Sequence, residues 1–278
     1  MPKTRLDLLL VERALADSRT QAQRLVMAGQ VRVDGQVALK PSASVDASAQ
    51  LSLDQPPPFV SRGGEKLQAA LQEFGVSPQG RTCADVGAST GGFTDCLLQH
   101  GAKRVYAIDV GQGILHWKLR QDQRVVVMEK TNARYLERLP EPVSLVTIDA
   151  SFISLKILLP VVRNWFPPDA PNPDLLALVK PQFEAGRKQV ARGDGVIRDP
   201  QIHRQVLLDV LAYALQDGYT VRGLLRSPLL GPKGNAEFLA WLSYPVFREP
   251  AEPIAGLEAL VERIVPLAPQ VAAGLSQP

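Results

Sequence analysis

The stretch Asp85-Val86-Gly87-Ala88-Ser89-Thr90-Gly91-Gly92-Phe93 decides the fold of this chain. The apolar residues at 82–84 predict a short buried strand, and the apolar spacing at 93–98 predicts a helix packed on a core. A strand that turns into a helix through glycine lets a ligand approach the backbone closely, because no Cβ blocks it. The free amides at the helix start favour hydrogen-bond acceptors and negative charge. This pattern predicts a nucleotide-like ligand at the carboxyl edge of a parallel sheet.

Strand and helix patterns alternate from Arg81 to Tyr244. Such alternation predicts an α/β fold, with a largely parallel sheet and helices on both of its faces. The predicted strands are 82–86, 104–109, 124–128, 143–149, 174–180, 219–226 and 236–244, and the predicted helices centre on 92–99, 113–120, 154–165 and 201–217.

Composition limits the class of protein. A chain of 278 residues with 45% hydrophobic residues can bury one large core and one small one. No apolar run approaches the roughly 20 residues of a membrane helix, and the first residues lack the apolar core of a signal peptide, so we expect a cytoplasmic protein. Cys83 and Cys96 are expected to be buried free thiols, and the three scattered histidines predict no metal site. A net charge of +3 permits a nucleic-acid partner without requiring one.

The order of glycines and acids narrows the ligand. Asp109 ends the second strand about 18 residues past Gly91, where an acid can accept both ribose hydroxyls of a nucleoside. A dinucleotide fold has the glycine order G-x-G-x-x-G, which this turn lacks. An acid at Asp85 would repel a pyrophosphate but could pair with an ammonium group, so S-adenosylmethionine suits the site better than NAD. Asn132 lies where adenine would be bound, although an ordinary loop asparagine is an equal alternative.

Charged residues are predicted at the same edge of the sheet. Asp149 ends the fourth strand, Lys180 ends the fifth, and Glu237 begins the last. A lysine at the end of a buried strand is costly unless it is paired, so Lys180 beside Asp149 is meaningful. Lys66 lies in the first turn of a predicted helix that continues to about Phe74, where a lone lysine is usually a surface residue. Together these four residues predict a reaction site rather than a binding site alone.

Residues 1–53 form a separate predicted module. A leucine-rich helix precedes a second helix at 19–27 with Ser18 as its N-cap, and Asp34-Gly35 predicts a hairpin turn. A third short strand is predicted at 51–53. Exposed basic side chains of this module are candidates for RNA phosphate contacts, with solvated surface charge as the alternative. These candidates are Lys3, Arg5, Arg19, Arg24 and Lys40.

The module resembles the S4 RNA-binding domain, and the whole chain resembles the TlyA (haemolysin A) family, in which an S4 domain precedes an FtsJ-like ribose 2'-O-methyltransferase domain. The motifs that carry the resemblance cover nearly the whole chain in the same order. They are Val60-Ser61-Arg62-Gly63-Gly64-x-Lys66-Leu67, the glycine turn quoted above, Thr131-Asn132-Ala133-Arg134, Asp149-x-Ser151-Phe152-Ile153-Ser154-Leu155, Val179-Lys180-Pro181-Gln182-Phe183-Glu184, Arg198-Asp199-Pro200 and Gly231-Pro232-x-Gly234-Asn235-x-Glu237.

The resemblance implies a Rossmann-like methyltransferase domain that uses S-adenosylmethionine, preceded by a small α+β S4 domain. The expected boundaries are 1–53 for the S4 domain, 54–60 for a stiff proline-rich linker, 61–248 for the methyltransferase domain and 249–278 for a tail with one helix. The implied substrates are cytidine 2'-hydroxyls of small- and large-subunit ribosomal RNA, so the expected partners are rRNA or ribosomal subunits, with no membrane and no metal.

The resemblance also implies a Lys-Asp-Lys-Glu catalytic tetrad at Lys66, Asp149, Lys180 and Glu237. The expected cofactor residues are Asp85, Gly87, Ala88, Ser89, Thr90, Gly91, Gly92, Phe93, Asp109, Val110, Asn132 and Asp149. Further RNA contacts are expected at Arg62, Lys130, Arg187 and Lys188, the last two in a basic, glycine-rich loop for which a plain mobile surface loop is the alternative.

A 2'-hydroxyl is a poor nucleophile, so a nearby base helps its attack on a sulfonium methyl group. Burial and the second cation, Lys66, favour the neutral form of Lys180, while Asp149 and Glu237 oppose that effect. We therefore expect Lys180 to act as base or to orient the hydroxyl. Asp149 would orient Lys180, and Lys66 and Glu237 would position ribose and phosphate.

Other classes of protein fit less well. An S4-containing pseudouridine synthase would have a catalytic aspartate without the glycine turn. A membrane-active haemolysin would need a secretion signal or amphipathic membrane segments, and the glycine order argues against an NAD-dependent oxidoreductase. An S4-containing RNA-binding protein with a haemolysin-like or non-catalytic role stays as the alternative function.

Overall fold

The computed structural model describes residues 3–54, 57–167, 173–186, 195–244 and 254–266 of the chain. The chain divides into two compact units, Met1–Pro58 and Phe59–Pro278. Across the described ranges, no helix combines the length and the apolar character that a membrane crossing requires.

The smaller unit packs two helices and short strands around an apolar core that includes Leu6, Leu10 and Val26. Two of its predicted features are confirmed. The hydroxyl of Ser18 accepts a hydrogen bond from the amide of Gln21, which caps the second helix. Two antiparallel strands then flank the turn at Asp34-Gly35. The elements are β1 (Lys3–Arg5), α1 (Leu6–Glu12), α2 (Arg19–Met27), β2 (Val31–Val33), β3 (Gln36–Val37), β4 (Ser44–Asp46) and β5 (Leu51–Leu53).

The strands of the smaller unit form two separate ladders. β2 pairs antiparallel with both β3 and β5, which confirms the predicted third strand. β1 pairs antiparallel with β4, and the sequence did not predict these two strands. Each contains three residues, too few for a period of two to stand out from the surrounding residues.

The larger unit is an α/β layered fold, as the alternation of patterns predicted. Its first core residue is Phe59, which the sequence analysis assigned to the linker and which is 4% exposed. In the described residues its strands are β6 (Thr82–Val86), β7 (Arg104–Ile108), β8 (Val125–Met128), β9 (Leu145–Ile148), β10 (Asp174–Val179), β11 (Thr220–Arg226) and β12 (Phe238–Ser243). Its helices are α3 (Gly63–Phe74), α4 (Gly92–Gln99), α5 (Trp117–Gln121), α6 (Leu155–Val162), α7 (Pro181–Glu184), α8 (Pro200–Gln216) and α9 (Ile254–Ile264).

The described strands of the larger unit form one sheet in the order β11-β12-β10-β9-β6-β7-β8. β10, β9, β6, β7 and β8 are parallel, whereas β12 runs antiparallel to both β10 and β11. The chain leaves β6 toward β7 and β8 and later returns to the other side of β6 with β9. A ligand crevice is expected where the strand order reverses, at the carboxyl ends of β6 and β9.

One predicted helix differs from the structure. The sequence analysis predicted a helix centred on 113–120, but α5 begins only at Trp117. Gly113 has a left-handed backbone with φ of 74°, which a helix cannot contain. His116 then caps α5, because its Nδ1 accepts a hydrogen bond from the amide of Lys118 at 3.3 Å.

Gly91 lies at the start of α4 with φ of 97°, in the left-handed region that favours glycine. A Cβ built on this residue would lie 2.1 Å from a methyl carbon of Leu119 and 2.8 Å from one of Leu115. The space that a side chain would occupy is therefore already filled by α5 and the loop before it. Gly91 is required by the packing of the chain as well as by its backbone angle.

Gly91→Ala should lower the free energy of unfolding by roughly 2–4 kcal/mol, because backbone strain and overpacking add. Gly75→Ala is the matched control, since Gly75 is also left-handed, with φ of 66°, but nothing lies within 4 Å of its built Cβ. It should cost about 1 kcal/mol. Chemical denaturation of both variants gives the comparison, and equal losses would show that the contact with Leu119 is unimportant.

Candidate active site

Strand register brings the predicted reactive residues to one edge of the sheet. Val86 is opposite Ile148 in the parallel β6–β9 pair, so the glycine turn and Asp149 leave the sheet side by side. Val179 is opposite Phe238 in the antiparallel β10–β12 pair. The residue after Val179 therefore faces the residue before Phe238, which places Lys180 next to Glu237. The antiparallel strand explains how a residue that begins a strand joins residues that end strands.

The glycines of the turn lie close to atoms of three other segments of the chain. A Cβ on Gly92 would lie 2.3 Å from the hydroxyl of Ser61 and 2.9 Å from the amide of Gly64. A Cβ on Gly87 would lie 2.7 Å from the carbonyl oxygen of Asp149. Together with Gly91, these residues allow α3, α5 and the loop after β9 to approach the turn. The glycines of the turn therefore also make room for three other segments of the chain.

Asp85 does not reach the surface of either cavity described below. Its side chain is fully buried and accepts hydrogen bonds from the hydroxyls of Thr94 at 2.7 Å and Thr147 at 3.1 Å. Burial raises the pKa of Asp85 to about 7, the hydrogen bond from Thr94 opposes this shift, and the charge of Asp149 adds to it. The carboxyl group of Asp85 lines neither cavity in this structure, and its contact with a ligand ammonium group stays a prediction.

One cavity of about 270 Å³ lies at the carboxyl ends of β6 and β7. Asp109 borders it, and its carboxylate accepts hydrogen bonds from the amides of Ser89 at 2.8 Å and Gly111 at 2.7 Å. Asn132 also borders it and caps a short 3-10 helix through a bond from the amide of Arg134. The other residues that line the cavity are mostly apolar: Val86, Gly87, Ile108, Val110, Thr131, Ala133, Asp149, Ala150, Ser151, Phe152, Ile153 and Leu158.

A second cavity of about 260 Å³ lies on the other side of the glycine turn. Gly87, Ser89 and Asp149 line both cavities, so the two spaces adjoin. The second cavity is far richer in charge than the first. It is bordered by all four residues of the predicted tetrad and by Ser61, Arg62, Gly63, Gly87, Ala88, Ser89, Thr90, Gly92, Phe93, Leu230, Gly231 and Pro232.

The four tetrad residues form two ion pairs. Lys180 Nζ lies 2.7 Å from Asp149 Oδ1, and Lys66 Nζ lies 2.5 Å from Glu237 Oε2. Lys66 and Lys180 are 9% and 7% exposed, so Lys66 is a buried residue rather than the usual surface lysine. Lys66, Lys180 and Glu237 are buried and Asp149 is partly exposed, and burial of these charges is tolerated because each has a partner of opposite charge.

Two polar groups of this cavity have bonding capacity that no described residue uses. Lys180 Nζ also donates to the hydroxyl of Ser151 at 3.0 Å. One of its three N–H donors then has no partner among the described residues. Among the described residues, Glu237 Oε1 is buried without a hydrogen-bond partner. Gly231 lies against this carboxylate, since a Cβ built on Gly231 would lie 2.0 Å from Glu237 Oε1. An unsatisfied buried oxygen is costly to the folded state.

The sequence analysis missed Ser151 and Gly231 as parts of the site. Ser151 follows Asp149 at a spacing of two, and its hydroxyl meets Lys180 only because β9 and β10 are neighbours. Gly231 lies six residues before Glu237, and the turn between them folds back through a bond from the amide of Gly231 to the carbonyl of Asn235. Both residues belong to motifs already quoted, so spacing within those motifs was the available signal.

The predicted RNA-binding residues fall into three groups. Arg62 borders the charged cavity, and Lys130 is exposed in the loop after β8. Lys3, Arg5, Arg19, Arg24 and Lys40 are exposed on the smaller unit. Arg187 and Lys188 lie outside the described residues.

Two of these arginines have a structural partner. Asp7 is fully buried, and Arg5 and Arg19 donate to its carboxylate. The hydrogen bonds from Arg5 hold the pKa of Asp7 well below its usual range. Part of the positive charge of this unit is therefore neutralised from within.

Comparisons with known proteins agree with this architecture. A family model described as FtsJ-like methyltransferase matches residues 59–244, and one described as S4 domain matches residues 4–51. The chain is 46% identical over 267 residues to "16S/23S rRNA (cytidine-2'-O)-methyltransferase TlyA" of Mycobacterium tuberculosis. The aligned region covers 95% of this chain and 97% of that protein.

Two further relatives carry a different name. "Hemolysin A" of Brachyspira hyodysenteriae is 39% identical over 240 residues, which covers 85% of this chain and 98% of that protein. The solved structure "Putative hemolysin from Streptococcus thermophilus" matches with a TM-score of 0.70 and 43% identity, over 95% of this chain and 96% of that one.

The buried Asp85 generates a prediction about pH. Because the pKa of Asp85 is raised to about 7, the folded state binds this proton more tightly than the unfolded state. The contribution of this group to stability is thus present below its ordinary pKa of about 3.9 and is lost as pH rises toward 7. Asp85→Asn removes this titration. The free energy of unfolding of the variant, relative to that of the wild type, should therefore rise by roughly 3–4 kcal/mol between pH 4 and 7.

Denaturation of both proteins at a series of pH values checks this expectation. Thr82→Ser is a control that leaves Asp85 and both of its hydrogen-bond donors in place, and its curve should run parallel to that of the wild type. If the Asp85→Asn curve also runs parallel to the wild type between pH 4 and 7, the buried carboxyl group is not responsible.

Proposed function

The chain belongs to the TlyA (haemolysin A) family of FtsJ-like methyltransferases with an S4 domain, and on that premise we propose that it methylates ribose 2'-hydroxyls of ribosomal RNA with S-adenosylmethionine as the methyl donor. The observation that carries the proposal is the convergence of two buried lysine–carboxylate pairs on one cavity beside the glycine turn. A relative is named for cytidine 2'-O-methylation of 16S and 23S rRNA, and we propose the same substrate class here.

The two adjoining cavities fit the two ends of S-adenosylmethionine. The apolar cavity has an acid, Asp109, where a ribose would lie, and Val110 and Asn132 where an adenine would lie. Gly87, Ser89 and Asp149 border both cavities, so a ligand can extend from one into the other. Asp149 is then an acid that faces the sulfonium and amino end. When bound, this cofactor supplies an electrophilic methyl group on a positively charged sulfur.

The charged cavity would hold the substrate ribose. The remaining N–H of Lys180 can donate to the 2'-oxygen. Lys66 fixes Glu237 through its ion pair and adds positive charge near the substrate phosphate. Lys180, with all three of its N–H groups then donating, would orient the 2'-oxygen, and the hydroxyl proton would pass to solvent as that oxygen takes the methyl group that S-adenosylmethionine supplies. Alignment of the two reactants supplies much of the rate.

A purely RNA-binding role accounts for less of the structure. Removing charged side chains from water costs free energy, and a protein that only bound RNA would gain nothing from burying two lysines behind a turn. Binding proteins place lysines at the surface, where they neutralise phosphates. The buried pairs therefore favour a reaction over binding alone.

Lys180→Ala should reduce methyl transfer by about 10²-fold or more while cofactor binding is kept, because the variant loses the hydroxyl contact but not the adenosine cavity. The assay incubates purified protein with ribosomal subunits and labelled S-adenosylmethionine, maps 2'-O-methylation in the RNA, and measures cofactor binding by calorimetry. Lys103→Ala is the control, since this exposed lysine precedes β7 at the opposite edge of the sheet.

Two results would contradict this proposal. Full activity in Lys180→Ala would remove that residue from the mechanism. No label in RNA from either subunit with the wild-type protein would reject ribosomal RNA methylation altogether.

Arg24→Ala tests the RNA side of the proposal. Arg24 is exposed on α2, and within the described residues it has no ion pair, unlike Arg5 and Arg19. Removing one phosphate contact should weaken RNA binding several-fold and reduce the slope of log affinity against log salt by about one. Binding measured at several salt concentrations gives the slope. An unchanged slope, with Lys103→Ala as reference, would exclude a phosphate contact at Arg24.

A further inference from the structure

The loop after β9 and the segment after β10 are joined at three successive points. The first is the contact of Lys180 with Asp149 and the hydroxyl of Ser151. The second is an aromatic pair, Phe152 with Phe183, whose ring centroids are 4.9 Å apart. The third lies farthest from the sheet, at Glu184. The mechanism above uses only the first of these contacts.

Glu184 holds the far end of the loop with both of its carboxylate oxygens. Oε2 accepts from the hydroxyl of Ser154 at 2.6 Å, and Oε1 accepts from the amide of Leu155 at 2.7 Å. Ser154 is the N-cap of α6, and its hydroxyl in turn accepts from the amide of Lys156. A carboxylate at this place satisfies free amides and interacts favourably with the positive end of the helix. Glu184 thus fixes where α6 begins.

The loop between Asp149 and Ser154 needs such an anchor. Phe152 has φ of 64°, a left-handed conformation that costs on the order of 1–3 kcal/mol for a residue with a side chain. Its ring is 90% exposed, so burial does not offset this strain. Without an anchor at Ser154, relaxation of the strain would move the loop that carries Asp149 and Ser151.

The charge of Glu184 is held in place by its partners. Burial raises the pKa of Glu184, and the hydrogen bonds from Ser154 and Leu155 oppose that shift by favouring the carboxylate. Loss of the Glu184 carboxylate would leave the amide of Leu155 without its acceptor. The location of Glu184 at the end of the segment that begins with Lys180 suggests a specific role.

We propose that Glu184 is a positioning residue for methyl transfer: it clamps the loop after β9 to the segment after β10 and so holds the Asp149–Lys180 pair in its working geometry. This inference rests on the function proposed above. It requires that loss of Glu184 misplaces the pair, because misplacement by about 1 Å can lower a rate by up to 10²-fold even when the cofactor is saturating.

Glu184→Ala should lower the single-turnover rate of methyl transfer, measured at saturating cofactor, by roughly 10-fold or more. Glu184→Gln keeps one carbonyl acceptor, so it should restore most of the lost rate. Glu73→Ala, an exposed acid on α3, is the control and should behave as wild type. A wild-type rate in Glu184→Ala, or a loss that appears only in cofactor affinity, would overturn the inference.

A double-mutant cycle separates positioning from a general loss of stability. Ser151→Ala removes the hydroxyl that accepts from Lys180 and so disturbs the same pair from the near end. If Glu184 acts through that pair, the combined variant should lose clearly less than the product of the two single losses. Losses that simply multiply would mean that Glu184 acts elsewhere.

Hydrogen exchange distinguishes a failure of this inference from a failure of the proposed function. In Glu184→Ala the amide of Leu155 loses its acceptor, so peptides covering 149–156 should exchange about tenfold faster, whereas those from β6 should not change. Unchanged exchange overturns the inference, whatever the assay for methyl transfer shows. If exchange accelerates while the wild type transfers no methyl group to RNA, the clamp stands and the proposed function fails.

Discussion

The rest of the larger unit depends on the burial of two lysines in ion pairs at one edge of the sheet. Lys66 and Lys180 lie 9% and 7% exposed behind the glycine turn, and each would be strongly destabilising without its carboxylate. The four charged groups come from α3, the ends of β9 and β10, and the start of β12. Glu237 precedes β12, so in a sheet that was parallel throughout it would lie at the opposite edge. The antiparallel β12 is therefore a requirement of the site.

The glycine turn serves both the fold and the site. Gly87, Gly91 and Gly92 admit a backbone carbonyl, a leucine side chain and a serine hydroxyl from three other segments. The turn thereby separates two cavities that share Gly87, Ser89 and Asp149 as a common border. Beneath it, the buried Asp85 accepts hydrogen bonds from two threonines and supports the turn from the core.

Charge is arranged differently in the smaller unit. The buried carboxylate of Asp7 accepts hydrogen bonds from two exposed arginines and from the side-chain amide of Gln23. Part of the basic surface therefore stabilises the fold. Among the described residues, Arg24 has no ion pair, so its charge is available to an external partner. A phosphate that approached Arg5 or Arg19 would compete with Asp7, which lowers the gain from each contact. Counting arginines in the sequence therefore overstates the charge that is available to RNA.

The sequence by itself determined most of the elements and their order, because period and turn residues are local properties, but it did not predict β1 and β4 or the start of α5. The α/β alternation, the strand at 82–86 and the cap at Ser18 all depend on neighbours within a few residues. It also determined which residue types stand at the strand ends. Only the tertiary structure decided which of them meet. The pairing of Lys66 with Glu237 joins residues 171 positions apart, and the burial of Asp85 depends on Thr147 from a neighbouring strand. Register and strand direction set these contacts, and they arise from packing of the whole sheet rather than from any local pattern.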